Sequence, residues 1–266
     1  MTAAGAASAA GGAAPAAARA AVVVNSSTWL WYLTRATGLI ALVLLTVSMA
    51  LGLLSSVRYQ RPSWPRFVIA GLHRNASLLA VAFTAVHIVT TLADGFVPIR
   101  LQDVVIPFIS AYRPLWLGLG AAAFDLLVAV AISSLVRTRI SYRSWRLVHW
   151  ASYLCWPVAV LHGLGTGTDT PVRWVLALTA GCVAAVAVLT GWRLAYGWPA
   201  RPLARLAGAL AMVLVLIAGT AWLAAGPLQP GWSRRAGTPP SLLGGSSPGA
   251  APAGAGHAAA PQGLGR

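Results

Sequence analysis

The chain contains six long apolar segments that are separated by short polar loops. They cover approximately residues 29–54, 67–92, 114–136, 145–165, 172–195 and 203–225. Each is close to the roughly 20 residues that a helix needs to cross a bilayer. The short alternating segments of a transmembrane barrel are absent from the pattern. The sequence therefore predicts an all-α polytopic membrane bundle of about six transmembrane helices.

The two flanks have a different composition from the apolar segments. Residues 1–27 are rich in Ala and Gly, and residues 227–266 are rich in Pro, Gly and Ala. Such segments bury too little apolar surface to offset the entropy of ordering. We therefore predict a disordered N-terminus at 1–27, a transmembrane domain at 28–226 and a disordered tail at 227–266. His257 lies in that tail and is interpreted as incidental.

Composition and charge support a membrane protein. The chain has 266 residues, of which 58% are hydrophobic and 9% charged, whereas soluble domains carry about 25% charged residues. The net charge of +15 comes from arginines that punctuate apolar segments. Nucleic-acid binding would need a basic face on a soluble domain and is excluded as the interpretation. Cys155 and Cys182 lie in apolar runs and are predicted to be core residues.

The arginines also predict an orientation. Ten lie on one side of the predicted spans, and three lie on the other side together with three aspartates. By the positive-inside rule, the arginine-rich side faces the cytoplasm and both termini lie outside. Abundant Ala and Arg without Lys indicate a bacterial protein, so we predict a multi-pass protein of the bacterial cytoplasmic membrane. The ten are Arg58, Arg61, Arg66, Arg137, Arg139, Arg143, Arg146, Arg193, Arg201 and Arg205.

Four histidines lie inside two of the predicted spans. His73 and His87 are in the second span, and His149 and His162 are in the fourth. These spans run in the same direction because one helix separates them. Counted from the flanking charged residues, His73 matches His149 in depth and His87 matches His162. The sequence predicts two histidine pairs stacked across the membrane, roughly 20 Å apart at 1.5 Å per residue.

Paired imidazoles favour haem as the ligand. Zinc requires three or four ligands around one point, whereas two facing imidazoles without a thiolate or carboxylate suit the axial positions of a haem iron. With both axial positions filled, electron transfer is favoured over oxygen or substrate chemistry. One buried histidine could merely hydrogen-bond across helices, but four at paired depths indicate function. A histidine-dependent metal transporter or permease, and a non-catalytic membrane anchor, remain alternatives.

The spacing within the fourth span raises a geometric difficulty. Fourteen residues return to within about 40° of the same helix face, whereas the thirteen between His149 and His162 leave a mismatch of about 140°. Pro157 lies between them. A proline removes a backbone hydrogen bond and kinks a helix, so the hypothesis is that Pro157 corrects the phase.

Charged residues near the histidines are lesser candidates. Arg74 and Arg146 lie beside the cytoplasmic-side histidines, and Arg35 lies within the first span. Guanidinium groups match carboxylates, so each could bind a haem propionate, an interpretation favoured for Arg74. Alternatively, Arg35 and Arg146 extend to the interface. Asp125, in the middle of the third span, could serve a proton relay, pair with an arginine or be structural.

Several motifs together resemble a known family. They are "LTRATGLIALVLL", "LHRNASLLAVAFTAVH", "LLVAVAISSLVRTRISYRSWRLVHWASYLCW" and "VLHG". Over roughly residues 33–190 the chain resembles the ferric reductase-like transmembrane domain. That family includes the membrane half of NADPH oxidases and the haem subunit of the periplasmic methionine sulfoxide reductase system. The resemblance implies two b-type haems, one held by His73 and His149 and the other by His87 and His162.

The chain also departs from that family's larger members. Ferric reductases and NADPH oxidases carry a cytoplasmic domain for FAD and NAD(P)H after the last span, whereas here a Pro/Gly/Ala tail follows. The glycine-rich "GLGTGTD" follows a membrane helix rather than a strand, so it does not predict a dinucleotide site. We therefore expect the electron-transfer subunit of an oxidoreductase. Its donor would be a separate flavin reductase or quinol, and its acceptor would be extracytoplasmic.

Overall fold

The computed structural model describes residues 7–56, 65–95, 97–196 and 198–243, with only the helical backbone described for residues 7–28. All regular elements within these ranges are helical. A three-residue 3₁₀ helix, Arg137–Arg139, precedes α5, and a second, Pro240–Leu242, follows α9. The α-helices are α1 (Ala7–Ser56), α2 (Arg66–Asp94), α3 (Leu101–Val105), α4 (Pro114–Leu135), α5 (Tyr142–Trp150), α6 (Ser152–Thr166), α7 (Arg173–Ala195), α8 (Pro202–Ala225) and α9 (Trp232–Arg235).

Six helical spans in the described residues are long and apolar enough to cross a membrane. They begin and end within a few residues of the predicted segments, and the fourth combines α5 and α6. The prediction of an all-α, multi-pass membrane bundle is confirmed. The spans are Trp29–Ser56, Arg66–Asp94, Pro114–Leu135, Tyr142–Thr166, Arg173–Ala195 and Pro202–Ala225.

Two helix pairs form the framework of the bundle. Helix α1 packs along α2, and α4 packs along α6, while α1 also contacts α6 and α7. At the junction of α1, α6 and α7, Trp156, Val160 and Cys182 form a buried apolar cluster. The Trp156 indole Nε1 donates a hydrogen bond of 2.9 Å to Thr46 Oγ1 on α1. Cys155 and Cys182 are buried, as predicted for core residues.

Helices are present in both flanks for which composition predicts disorder. Helix α1 begins at Ala7, while residues 1–6 lie outside the described residues. Residues 227–243 include α9. Trp232 anchors this segment by packing against two tryptophans of the bundle, which the overall composition of the tail does not reveal. Residues 244–266, with His257, lie outside the described residues.

The fourth span is interrupted at Ala151 rather than at Pro157. Helix α5 ends at Trp150 and α6 begins at Ser152. The Ala151 N–H bonds the Val148 carbonyl at 2.9 Å, and the Leu154 N–H bonds the Ala151 carbonyl at 3.0 Å. These bonds reach back three residues, so the chain turns more tightly there than in an α-helix. Pro157 lies inside α6. The break in this span therefore lies at Ala151, and the effect of Pro157 on the helical phase stays a prediction.

Candidate functional site

The four histidines of these spans are partly buried and lie in two pairs between α2 and the fourth span. His73 and His149 have ring centroids 6.2 Å apart with an interplanar angle of 71°. His87 and His162 have ring centroids 6.5 Å apart with an angle of 77°. We call these the His73 pair and the His87 pair. The structure thus brings together the residues that were matched by depth in the sequence.

The spacing of each pair fits a metal held between two imidazoles. Two bonds of about 2 Å from ring nitrogens to a metal, together with the two ring radii, separate the ring centroids by about 6 Å. Both measured separations are close to this value. Rings in direct contact with each other would not leave this room. Each pair therefore has the separation required for two axial ligands of one haem iron.

Three of the four imidazoles are fixed by backbone carbonyls. Nδ1 of His73 bonds the Ser48 carbonyl at 2.9 Å, and Nδ1 of His87 bonds the Thr34 carbonyl at 2.8 Å. Nδ1 of His162 bonds the Trp116 carbonyl at 2.9 Å. A carbonyl oxygen only accepts, so Nδ1 must carry the proton and Nε2 keeps its lone pair. This is the arrangement in which a histidine ligates a metal through Nε2.

Glycines on the neighbouring helices leave space for these rings. A Cβ added at Gly38 would lie 3.0 Å from Cε1 of His87, and one at Gly120 would lie 2.5 Å from Cε1 of His162. At Gly52 the nearest atom of His73 would be 3.5 Å away. The sequence interpretation missed these residues. The available signal is that Gly38 and Gly52 are fourteen residues apart, the same spacing as His73 and His87.

A cavity of about 530 Å³ adjoins the His87 pair and continues between α1, α4 and α6. Charged side chains lie around it: Arg35 forms an ion pair with Asp169 and hydrogen-bonds Thr168. Asp94 and Asp103 also line the cavity. Its remaining walls are largely apolar, which suits a large flat ligand with a few charged groups at one edge.

A buried arginine lies at the end of the bundle that carries the His87 pair. Arg113, with 1% of its surface exposed, precedes α4. Its guanidinium donates to the carbonyls of Gly165 and Thr166 and to the hydroxyls of Ser233 and Thr238. Burial lowers the pKa of Arg113, but a guanidinium stays protonated in proteins. Arg113 therefore ties the C-terminal segment to the end of α6 that carries His162, a role that the sequence interpretation missed.

Two tryptophans near helix ends contact the site. Trp116 packs against Trp222 and Trp232, with ring centroids 5.0 Å and 5.4 Å away, and its carbonyl binds His162. Trp145 stacks on His149, with centroids 4.9 Å apart and an angle of 23°. Tryptophans near the ends of membrane helices often lie at the membrane–water interface. Their position in the sequence alone does not distinguish contact with lipid from contact with the site.

The remaining charged candidates lie at the surface. Arg74 is exposed on α2, directly after His73, and Arg146 is exposed on α5, where its guanidinium carbon is 5.6 Å from the Tyr142 ring centroid. Asp125 is exposed on α4 and makes no ion pair among the described residues. Within the same ranges, no group of three or more His, Cys, Asp or Glu side chains is placed to hold a metal ion.

Comparison with known proteins gives one family. Residues 37–163 match the family model described as ferric reductase like transmembrane component. The matched range contains all four histidines of the two pairs. No curated protein and no solved structure gives a significant match to the chain. The matched domain indicates a role in membrane electron transfer, and domains of this kind generally bind haem.

Proposed function

We propose that this chain, with its ferric reductase-like transmembrane domain at residues 37–163, is a di-haem b-type membrane cytochrome. It would pass electrons across the bacterial cytoplasmic membrane to an extracytoplasmic acceptor. The observation that carries this proposal is the geometry of the two histidine pairs, whose ring centroids are 6.2 Å and 6.5 Å apart. Each pair has room for one iron and offers it two nitrogen ligands.

The residues around each pair support haem ligation. Carbonyl acceptors on α1 and α4 hold the rings of His73, His87 and His162 with Nε2 free, and glycines on the same helices leave space for them. Haem at each pair would be held by the two histidines of that pair and would supply one-electron redox chemistry. Two protein ligands for each haem favour electron transfer as the proposed role.

Arginines near both pairs are proposed to bind haem propionates. Arg74 follows His73 directly, and Arg35 lines the cavity beside the His87 pair. Arg35 already interacts with Asp169 and Thr168, so a propionate at this position would compete with a carboxylate for the same guanidinium. A bidentate guanidinium binds either carboxylate with similar geometry. Arg74 has no comparable carboxylate neighbour among the described residues.

The charges at the two ends of the bundle support an orientation. Arg137, Arg139, Arg143 and Arg146 are exposed near the His73 pair. Asp94, Asp103 and Asp169 lie near the His87 pair. By the positive-inside rule we place the His73 pair on the cytoplasmic side. A separate flavin reductase or the quinol pool would donate electrons there, and the acceptor would bind on the side of the His87 pair.

A metal transporter is less consistent with the site. Transported divalent ions need several ligands around one point, and among the described residues the histidines occur in pairs without a third metal-binding side chain.

Haem content and its dependence on each histidine test the proposal. Protein purified from haem-replete cells should show a reduced-minus-oxidised b-type spectrum with about two haems per chain, one for each axial pair. His73→Ala and His149→Ala should each remove the same haem and leave the second spectroscopically intact. His257→Ala, which changes a histidine outside the pairs, should retain both. Colourless wild-type protein, or loss of one and the same haem in His73→Ala and His87→Ala, would contradict the proposal.

A further inference from the structure

The four imidazoles differ in how they are held. His73, His87 and His162 each bond a backbone carbonyl through Nδ1. Nδ1 of His149 is buried and has no hydrogen-bond partner. The main chain therefore fixes the ring orientation of three histidines but not of the fourth. A buried imidazole that binds a metal on one side normally has a second group that sets its orientation.

His149 has an aromatic neighbour against the face of its ring. Trp145 lies four residues earlier on α5, one helical turn away, so the two side chains lie on the same face. Their rings are nearly parallel, with centroids 4.9 Å apart and an angle of 23°. The Arg137 guanidinium carbon lies 4.7 Å from the Trp145 ring centroid, within range of a cation–π interaction. We call these three residues the Trp145 stack.

We propose that Trp145 is a positioning residue that sets the ring plane of His149, replacing the carbonyl hydrogen bond made by the other three histidines. The proposal rests on the proposed function, which supplies the haem iron that His149 would bind. A flat indole against an imidazole restricts rotation of the ring about its Cβ–Cγ bond, because rotation would break the face contact. Arg137 holds the indole through its π face and places a positive charge beside the His73 pair.

The stack makes the His73 pair chemically different from the His87 pair. A carbonyl bonded to Nδ1 raises the basicity of a histidine ligand, and His149 lacks this bond. The plane of His149 relative to His73, 71° in this structure, depends on a side-chain contact rather than on backbone. The angle between the two imidazole planes affects the electron paramagnetic resonance (EPR) signal of low-spin ferric haem. The signal of this one haem should therefore respond to substitutions in the Trp145 stack.

The test is EPR and potentiometric titration of the purified haem protein. In Trp145→Ala, we expect a shifted or broadened low-spin signal for the haem of the His73 pair and an unchanged signal for the other. Trp145→Phe keeps a flat ring and should restore a signal close to the wild type. Trp150→Ala removes an exposed tryptophan from the same short helix and should leave both signals unchanged. A Trp145→Ala protein with two unaltered signals would overturn the proposal.

A second pair of variants tests the proposal even if Trp145→Ala fails to fold. Arg137→Gln should lower the midpoint potential of the haem of the His73 pair, because a nearby positive charge stabilises the reduced form. Arg139→Gln makes the same charge change at an exposed neighbour and should shift it less. If Trp145→Ala loses this haem and Trp145→Phe behaves identically, the stack is not the orienting element and the proposal fails. Wild-type protein without haem would instead overturn the proposed function itself.

Discussion

At the scale of single residues, Gly120 on α4 is the glycine packed most closely against one of the four histidines. A methyl group there would lie 2.5 Å from both Cε1 and Nδ1 of His162, nearer than atoms in contact can approach. The ring cannot simply move away, because Nδ1 is bonded to the Trp116 carbonyl. The absence of a side chain at this position is therefore part of how His162 is held.

We predict a graded effect of adding one methyl group to the glycines facing the histidines. Gly120→Ala should displace His162, at a cost of about 1–3 kcal/mol for overpacking, and reduce the haem of the His87 pair by more than half. Gly38→Ala, with a contact of 3.0 Å to His87, should have a smaller effect, and Gly52→Ala at 3.5 Å should be tolerated. Haem content measured from the b-type spectrum checks this order.

Gly181→Ala is the matched control, because a methyl group there meets no atom within 4 Å. An equal loss of haem in Gly181→Ala and Gly120→Ala would show that the effect is general destabilisation. Full haem content in Gly120→Ala would mean that His162 is not held as described.

At the scale of helices, the C-terminal segment 227–243 is held to the transmembrane bundle by Arg113 together with Trp232. Four acceptors on two segments converge on one guanidinium, and the Arg113 N–H bonds the Gly237 carbonyl at 3.0 Å. Arg113 has a φ of +43°, which is costly for a residue with a side chain. The hydrogen bonds offset that cost.

We expect Arg113→Ala to detach the C-terminal segment and destabilise the bundle. Leaving the Thr166 carbonyl without its donor costs about 1–3 kcal/mol, whereas the Gly165 carbonyl keeps its bond from Trp232 Nε1. The melting temperature of the purified protein should fall by several degrees, and residues 227–243 should become accessible to protease. Arg173→Ala changes an exposed arginine at the start of α7 and serves as the control. Protease resistance equal to wild type would contradict the anchoring role.

At the scale of the whole molecule, the proposed orientation decides where an electron donor and an acceptor would bind. The proposed orientation, based on the positive-inside rule, has the arginine-rich loops in the cytoplasm and residue 243 on the outer side. A C-terminal reporter that is active only outside the cytoplasm should therefore give a signal, and one that is active only inside should not. The opposite result would reverse the assignment of inner and outer sides, whereas the histidine pairs themselves would be unaffected.

The exposed arginines near the His73 pair are expected to bind the electron donor. The double variant Arg139→Gln with Arg143→Gln should slow haem reduction by a cytoplasmic donor several-fold, and the rate should fall as salt is raised. Arg137 is left in place because it contacts Trp145. Arg234→Gln with Arg235→Gln makes the same charge change on α9 and is the control. Equal rates in the two double variants, without salt dependence, would exclude electrostatic docking at this surface.

The sequence alone determined the number of spans, their approximate bounds and the pairing of the histidines by depth. These features follow from local rules: about 20 apolar residues cross a bilayer, and a rise of 1.5 Å per residue converts position into depth. The confirmed spans differ from the predicted bounds by at most a few residues. Arg35, Arg74 and Asp125 could be located along a span, but their neighbours could not be identified.

The tertiary structure decided everything that depends on contacts between distant residues. The break at Ala151, the glycines facing the imidazoles and the carbonyls that bind Nδ1 depend on which helix face meets which neighbour. Composition could not predict the contacts of residues 227–243, because Trp232 and the buried Arg113 join segments more than a hundred residues apart. A depth in the membrane can be counted along one helix, whereas a contact requires the rotation and packing of two helices.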